Sequence, residues 1–229
     1  MTKHQQRILW VAVAGAVAGA LLVTRHTRLL PDIPALAPDK LLLAQRHFPL
    51  LAALGWLTFG VYWEYVGKKS APIQSAESRL SRGFHVFLKN VALLLEIMPI
   101  HGFGRFMPVW PGVMTVGLVM VGSGLGLAIW SRRHLGENWS SEIAIKVEHQ
   151  LIRSGPYSVL RHPIYAGLLM MYAGTLLVMG ERLGVVGLVI ALFAYARKIR
   201  LEEASLSKAF GADFDSYRSE TWAVVPGLF

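Results

Sequence analysis

The sequence has no cysteine, which excludes disulfides, thiolate metal sites and a cysteine nucleophile. Charge is scarce as well. Asp, Glu, Lys and Arg together make up 16% of the 229 residues, well below the share found in ordinary soluble domains. Acids are the scarcer sign, 14 against 23 lysines and arginines, for a formal net charge of +9. That surplus does not form a continuous stripe, so nucleic acid is excluded as a partner. No HxxxH or HExxH pair occurs, so His134, His149 and His162, with Glu142 and Glu148 near two of them, do not have zinc-site spacing, and no metal is expected. A GxSxG nucleophile elbow is missing, which removes the common serine hydrolases. There is no long linker, low-complexity tract or internal repeat, so the chain reads as a single structural domain.

What is present is apolar. Hydrophobic residues make up 54% of the chain and its mean hydropathy is +0.45, the composition of an integral membrane protein. Runs long enough to approach the ~20 residues that cross a bilayer fall at 8–24, 48–66, 84–100, 109–131, 164–180 and 183–196. The fold class is therefore all-α and polytopic, with about six transmembrane helices. The first run follows Lys3 and Arg7 and mimics a signal peptide, but Gly15 and Gly19 suit a helix packed closely on another, and it is read as retained. Gly122, Gly124 and Gly126 of the fourth run also fit close helix packing better than phosphate binding. In the third run Lys89 and Glu96 are seven residues apart, on one helical face that can point inward. Only Glu181 and Arg182 separate the last two runs, so these must form a tight antiparallel hairpin.

Six spans put both termini, the loop 67–83 and the connector 132–163 on one side. The opposite side receives only Arg25, Arg28, Lys40, Arg46, Arg105 and Arg182 of the 23 basic residues. The positive-inside rule then places the connector and both termini in the cytoplasm. Residues 1–131 form the N-terminal helices, and 132–229 hold most of the polar material. Within the latter, Gly155-Pro156 demands a tight turn, while His162-Pro163 opens an apolar run, so Pro163 suits the first turn of a helix whose free N–H groups can face an anion. In the tail, Leu201, Leu206, Ala209 and Phe210 lie at helical spacing beside Glu202, Glu203, Ser205 and Lys208. An amphipathic helix should continue out of the sixth run until Gly211 stops it.

Taken singly, these residues have structural readings. His149 and His162 suit helix caps or headgroup contacts, Tyr157 and Tyr165 an interfacial aromatic belt, and Lys198 with Glu202 an i,i+4 pair. Their convergence is harder to explain that way, because the hairpin forces the ends of the last two runs to be neighbours. The ordered elements His149-Gln-Leu-Ile-x-x-Gly-Pro-Tyr157, Arg161-His-Pro-Ile-Tyr165-x-Gly167, the stretch Lys198 to Leu206 with its Glu202-Glu203 pair, Phe210-Gly211 and Phe214-x-x-Tyr217 resemble the isoprenylcysteine carboxyl methyltransferase family. The similarity begins at Leu135-Gly136 and covers about the C-terminal 100 residues.

The resemblance implies S-adenosylmethionine as cofactor, in a cytoplasmic cavity formed by the connector and the start of the tail. It implies a lipophilic acceptor entering from the bilayer, with the carboxylate of a prenylated cysteine as the family's substrate. Carried over by position, Glu142, His149, Gln150, Leu151, Ile152, Tyr157, His162, Pro163, Ile164, Tyr165, Glu202 and Glu203 would serve the cofactor, Glu202 meeting its ammonium. Lys198 stands where the family commonly has an arginine that orients the acceptor carboxylate, and Arg197 flanks it. Methyl transfer from a sulfonium needs in-line orientation and exclusion of water more than a strong acid or base, so no catalytic dyad is required. Three alternatives stay open: methylation of a phospholipid amine or a thiol, an NADPH-dependent membrane sterol or isoprenoid reductase, and a non-enzymatic scaffold binding headgroups or a partner.

Overall fold

The computed structural model describes residues 38–67, 73–76, 78–98, 104–107, 110–136, 139, 144–146 and 151–227. The predicted first span, 8–24, lies outside the described residues. Each of the other five apolar runs becomes a helix. In chain order the elements are α1 (Pro38–Gly67), β1 (Ile73–Ala76), α2 (Arg79–Ile97), α3 (Pro111–Leu135), β2 (Ala144–Lys146), a 3-10 turn (Gly155–Ser158), α4 (Pro163–Met179), α5 (Arg182–Phe210) and α6 (Ala212–Glu220). The helical expectation therefore holds. The antiparallel ribbon of β1 and β2 is an addition that no alternation in the sequence announced.

Local chemistry sets the boundaries. The Ser78 side chain caps α2 by accepting from Ser81 N–H. Pro111 and Pro163 occupy the first turns of α3 and α4, where the missing N–H costs nothing. Gly180 ends α4 in the left-handed region at φ 63°, and Gly211, at φ 53°, separates α5 from α6. α5 is 29 residues long because the apolar run and the amphipathic stretch after it share one unbroken helix.

Glycine sets how closely the helices pack. A Cβ on Gly124 would lie 2.3 Å from the Gly167 carbonyl oxygen, and one on Gly117 would lie 2.6 Å from that of Gly174. The relation is reciprocal, so α3 and α4 pack backbone to backbone at two levels one heptad apart. Among the described residues nothing lies within 4 Å of such a Cβ at Gly122 or Gly126, which face away from this seam. On the other side of the bundle, Gly187 of α5 brings its backbone against Ala92 of α2, where a Cβ would lie 2.5 Å from the Ala92 oxygen. In a lipid-like surround, where apolar burial between helices supplies little drive, such close approach favours association through van der Waals packing.

Between these seams sits a core of large side chains, Trp56, Met171, Tyr172, Met179 and Tyr195 among them. Its polar tips are satisfied internally: Trp56 Nε1 donates to Thr175 Oγ1 at 2.9 Å, and Tyr172 OH donates to the Lys89 carbonyl at 2.8 Å. Glu96 is fully buried, as its place on the inner face of α2 predicts, and among the described residues neither carboxyl oxygen has a hydrogen-bond partner.

The loops sort to two ends. At one end β1 of the 67–83 loop pairs with β2 of the connector, and at the other Arg105 bridges to Glu181 of the hairpin turn. The pairs that meet are those which the basic-residue asymmetry groups together. Among the described residues α3 alone is long and apolar enough to cross a membrane by itself, and α4 is a shorter apolar helix.

Candidate functional site

The site is built where the connector enters α4. Gly155, at φ 60°, opens the 3-10 turn, and the His134 ring packs so closely on it that a Cβ would lie 2.7 Å away. His134 Nε2 meets Ser154 Oγ at 2.8 Å, and its ring stacks on Tyr157. This fixes the buried Tyr157 beneath the turn. The tail then folds back on the connector. Trp222 N–H donates to the Val159 carbonyl, while Arg161 and His162 N–H donate to the Trp222 and Ala223 carbonyls at 2.7 and 2.9 Å. Tyr217 of α6 donates its hydroxyl to the Tyr157 carbonyl at 2.7 Å. Connector and tail are thus one hydrogen-bonded unit.

Its polar centre is the pair Glu202-Glu203 of α5. Arg161 Nε donates to Glu203 Oε1 at 2.8 Å, His162 Nε2 lies 3.2 Å from the same oxygen, and Arg218 Nε is 3.8 Å from Oε2. Arg161 also donates to the carbonyls of Arg218 and Thr221. Burial alone would raise the Glu203 carboxyl, but hydrogen bonds from His162 and Arg161, with their charges, outweigh it and hold the pKa at about 2. Glu202 is arranged differently. Its Oε2 accepts from Tyr165 OH at 2.8 Å and lies 3.8 Å from His162 Nδ1, and its side chain is 32% exposed. Among the described residues its other oxygen has no hydrogen bond or ion pair.

Aromatic rings surround this carboxylate. His162 stacks on Tyr165 at 5.5 Å between centroids, and Tyr165 meets Tyr195 at 5.3 Å. The Tyr157 hydroxyl is held protonated, pushed well up by burial, then by the Glu202 charge and by Tyr217. Burial likewise pushes Tyr217 up to about 12. Neutral phenols and an imidazole beside one partly exposed carboxylate suit a ligand with an organic cation and an aromatic ring.

Of the residues expected from sequence, the structure brings together Tyr157, His162, Pro163, Ile164, Tyr165, Glu202 and Glu203. Leu151 and Ile152 lie half-buried in the extended lead-in to the turn. Glu142, His149 and Gln150 lie outside the described residues. Lys198, one helical turn before Glu202, is buried at 5% exposure and within electrostatic reach of His85 and Lys89 on α2. Arg197 turns its guanidinium to α2, donating to Ser81 Oγ and lying over the Phe84 ring.

Sequence reasoning passed over Arg161 as a site residue, although it lies inside the RHPxY element, and it missed Tyr195 and His85. Tyr195 had a signal, three residues before Lys198 on the same helix face. His85 had none, since its partner is a backbone carbonyl, Ala194 O at 3.2 Å; a carbonyl only accepts, so Nδ1 carries the proton. Arg132 was read only as topogenic charge. It binds the Val66 and Gly136 carbonyls and lies over Trp139, joining the C-terminal ends of α1 and α3. Among the described residues no three His, Asp or Glu side chains are grouped to hold a metal.

A family model described as phospholipid methyltransferase matches residues 113–213, the stretch holding α3, the connector, α4 and α5. A probable protein-S-isoprenylcysteine O-methyltransferase of Oryza sativa subsp. indica is 28% identical over 155 residues, 66% of this chain and 81% of that protein. The protein-S-isoprenylcysteine O-methyltransferase of Saccharomyces cerevisiae is 31% identical over 94 residues, 40% of this chain and 39% of that one. The cobalt-zinc-cadmium resistance protein CzcN of Cupriavidus metallidurans is 33% identical over 122 residues, 52% of this chain and 54% of that one. The solved structure of the eukaryotic intramembrane Ras methyltransferase ICMT aligns over 98% of both chains at 14% identity and a TM-score of 0.48. The chain is similar to the isoprenylcysteine carboxyl methyltransferases, as its RHPxY and Glu-Glu elements led one to expect.

Proposed function

We propose that this chain is an integral membrane methyltransferase that uses S-adenosylmethionine and methylates a lipophilic acceptor, the carboxylate of a prenylated cysteine or a similar compound. The observation that carries the reading is Glu202. One oxygen is fixed by Tyr165 and faces His162, the side chain is 32% exposed, and the residue sits beside the joined connector and tail. A fixed, partly exposed carboxylate among aromatic rings fits the donor's ammonium and adenosine. The first turn of α4, which no side chain caps, fits its carboxylate.

When bound, S-adenosylmethionine supplies an electrophilic methyl group on a sulfonium. The chain's own contribution is to bind, orient and exclude water. Tyr157, Pro163, Ile164 and Tyr165 form the wall around Glu202, Leu151 and Ile152 extend it along the lead-in to the turn, and Glu142, His149 and Gln150 are assigned to the cofactor from the resemblance alone. Glu203 locks Arg161 and His162 so that the wall stays in place. Lys198 would hold and orient the acceptor carboxylate as a point charge. Six helices with both termini in the cytoplasm complete the reading, on the support of the basic-residue asymmetry.

The test is calorimetric titration of the purified full chain with S-adenosylmethionine and with NADPH, followed by radiolabelled methyl transfer to a prenylated cysteine, a phospholipid amine and a lipophilic thiol. Saturable binding of the first cofactor alone, with transfer to the carboxylate, is expected. Binding of NADPH instead, or of neither, would replace the methyltransferase with the reductase or the scaffold.

A further inference from the structure

The seam between α2 and α5 has a fixed antiparallel register. A Cβ on Gly187 would lie 2.5 Å from the Ala92 oxygen, and two turns nearer the connector end His85 Nδ1 lies 3.2 Å from the Ala194 oxygen. The bond from Arg197 to Ser81 continues the same register. It puts Lys89 of α2 level with Ile190 and Lys198 of α5 level with Ser81, so that their backbones stand about 12 Å apart along the seam.

The two side chains close that distance. A helical side chain leans towards its own N-terminus, and because α2 and α5 run in opposite directions, each lysine leans towards the other. The Lys198 charge acts on Lys89, and both act on His85, which stands between their levels. Lys89 shares one face of α2 with His85, and its carbonyl accepts from Tyr172 OH at 2.8 Å. Tyr172 and His85 both border Tyr195, at 6.3 and 5.3 Å between ring centroids, and Tyr195 adjoins Tyr165, the hydroxyl donor to Glu202. One layer of rings thus joins the lysines to the wall around Glu202, on the side of the apolar bundle.

Two ammonium groups brought together here repel, the more so where the dielectric is low. Around Lys89, Glu64 of α1 supplies one negative charge against the two positive ones. A further carboxylate would balance the group. A lysine offers a carboxylate a single point charge where an arginine offers a planar fork, and two lysines on facing helices can supply one donor to each oxygen.

We propose that Lys89 is a second acceptor-binding residue, which grips the acceptor's carboxylate together with Lys198, one ammonium to each oxygen. This rests on the methyltransferase reading with a carboxylate acceptor. Lys89 keeps part of its surface exposed, and His85 sets its height by tying α2 to α5 at the Ala194 carbonyl.

The test is steady-state methyl transfer by the full chain in detergent to N-acetyl-S-farnesylcysteine, with donor affinity measured separately by calorimetry. Lys89→Met should raise the acceptor KM about tenfold to a hundredfold, as loss of a charged hydrogen bond implies, and leave S-adenosylmethionine affinity within about twofold. Glu64→Gln, which removes a competing carboxylate, should lower the acceptor KM or leave it unchanged. In a Lys198→Arg background Lys89→Met should cost less than about threefold, because the guanidinium fork already meets both oxygens. If Lys89→Met does not fold, Lys89→Gln carries the same expectations, with donor binding as the check on its fold. A purely structural ion pair between Lys89 and Glu64 predicts that both single variants act alike. An acceptor KM within about twofold of wild type in the Lys89 variant, an equal rise in Glu64→Gln, or an undiminished cost beside Lys198→Arg would each overturn the proposal. Failure of the methyltransferase reading is a separate outcome, seen in the wild-type chain as no donor binding and no transfer, and the proposal falls with it.

Discussion

Glu202→Gln and Glu203→Gln remove the same charge from adjacent positions of one helix and should fail in different ways. The Glu203 side chain is 13% exposed and is the acidic partner of Arg161, which is 6% exposed. Breaking a buried pair by removing one member costs about 3 to 5 kcal/mol. Arg161 keeps its bonds to the Arg218 and Thr221 carbonyls, so the lower end of that range applies. The depression of the Glu203 pKa to about 2 by His162 and Arg161 points the same way. Because the folded value is depressed, this stabilisation is present in full above the ordinary carboxylate range and is lost as pH falls from about 4.5 towards 2. Glu203→Gln should therefore lower the unfolding temperature in detergent by several degrees at neutral pH and flatten the acid limb of the stability profile. Among the described residues Glu202 has the hydroxyl bond and one 3.8 Å contact, so Glu202→Gln should cost no more than about 1 kcal/mol of stability while weakening S-adenosylmethionine about tenfold to a hundredfold in calorimetry. The opposite pattern, an unstable Glu202 variant with intact binding beside a stable Glu203 variant, would show that the two roles are misassigned.

The remaining expectations concern the helix seam, the hydroxyl on Glu202 and the acceptor. Gly174→Ala places a methyl group 2.5 Å from the Gly117 carbonyl oxygen and should destabilise by about 1 to 3 kcal/mol or more in detergent unfolding, whereas Gly122→Ala, with open space around it, should be neutral or slightly stabilising. Tyr165→Phe removes the donor to Glu202 Oε2 and should weaken S-adenosylmethionine by about tenfold with little change in unfolding temperature; unchanged affinity would remove the hydroxyl from the site. Lys198→Ala should impair turnover or acceptor affinity more than donor affinity, and Lys198→Arg should preserve methylation of a carboxylate acceptor because the guanidinium fork matches it. Steady-state kinetics with both substrates varied separates these outcomes, and near-normal constants for Lys198→Ala would return that residue to a structural role.

How much could be read in the sequence depended on whether the physics is local. Pro163 opening α4, Gly180 ending it and Gly211 breaking α5 from α6 follow from one or two residues each, and all three are where the sequence puts them. The five described apolar runs became helices for the same reason. The site was legible as far as ordered short motifs reached, which covers the turn, the RHPxY element and Glu202-Glu203. Three features were not legible because their partners are distant or lie on the backbone. The β1–β2 ribbon joins residues some seventy positions apart with no alternating pattern to mark it. His85 is fixed by the Ala194 carbonyl, and the Arg161 clamp depends partly on carbonyls of Arg218 and Thr221, which carry no side-chain signature. Arg197 and Lys198 read alike as adjacent cations. Only the packing of α5 against α2 shows that the helix sends one to Ser81 and buries the other.

Two kinds of cohesion meet at Arg161-His162-Pro163, and their separation explains how a polar site can sit at the edge of an apolar bundle. Below this point α4 is held by glycines against α3, an interaction that needs no water and suits a hydrocarbon surround. Above it the connector is held by charge: Arg161 to Glu203, and backbone N–H groups to the tail at Trp222 and Ala223. Helix α5 belongs to both zones, since Gly184 and Gly187 pack in the bundle while Glu202 and Glu203 reach the polar layer. A rigid apolar seam therefore fixes where α5 presents its two carboxylates, and the tail closes the connector over them. Loss of the tail contacts should then leave the bundle folded but release the connector, so truncation after Gly211 ought to abolish donor binding while helix content measured by circular dichroism falls by no more than the removed segment.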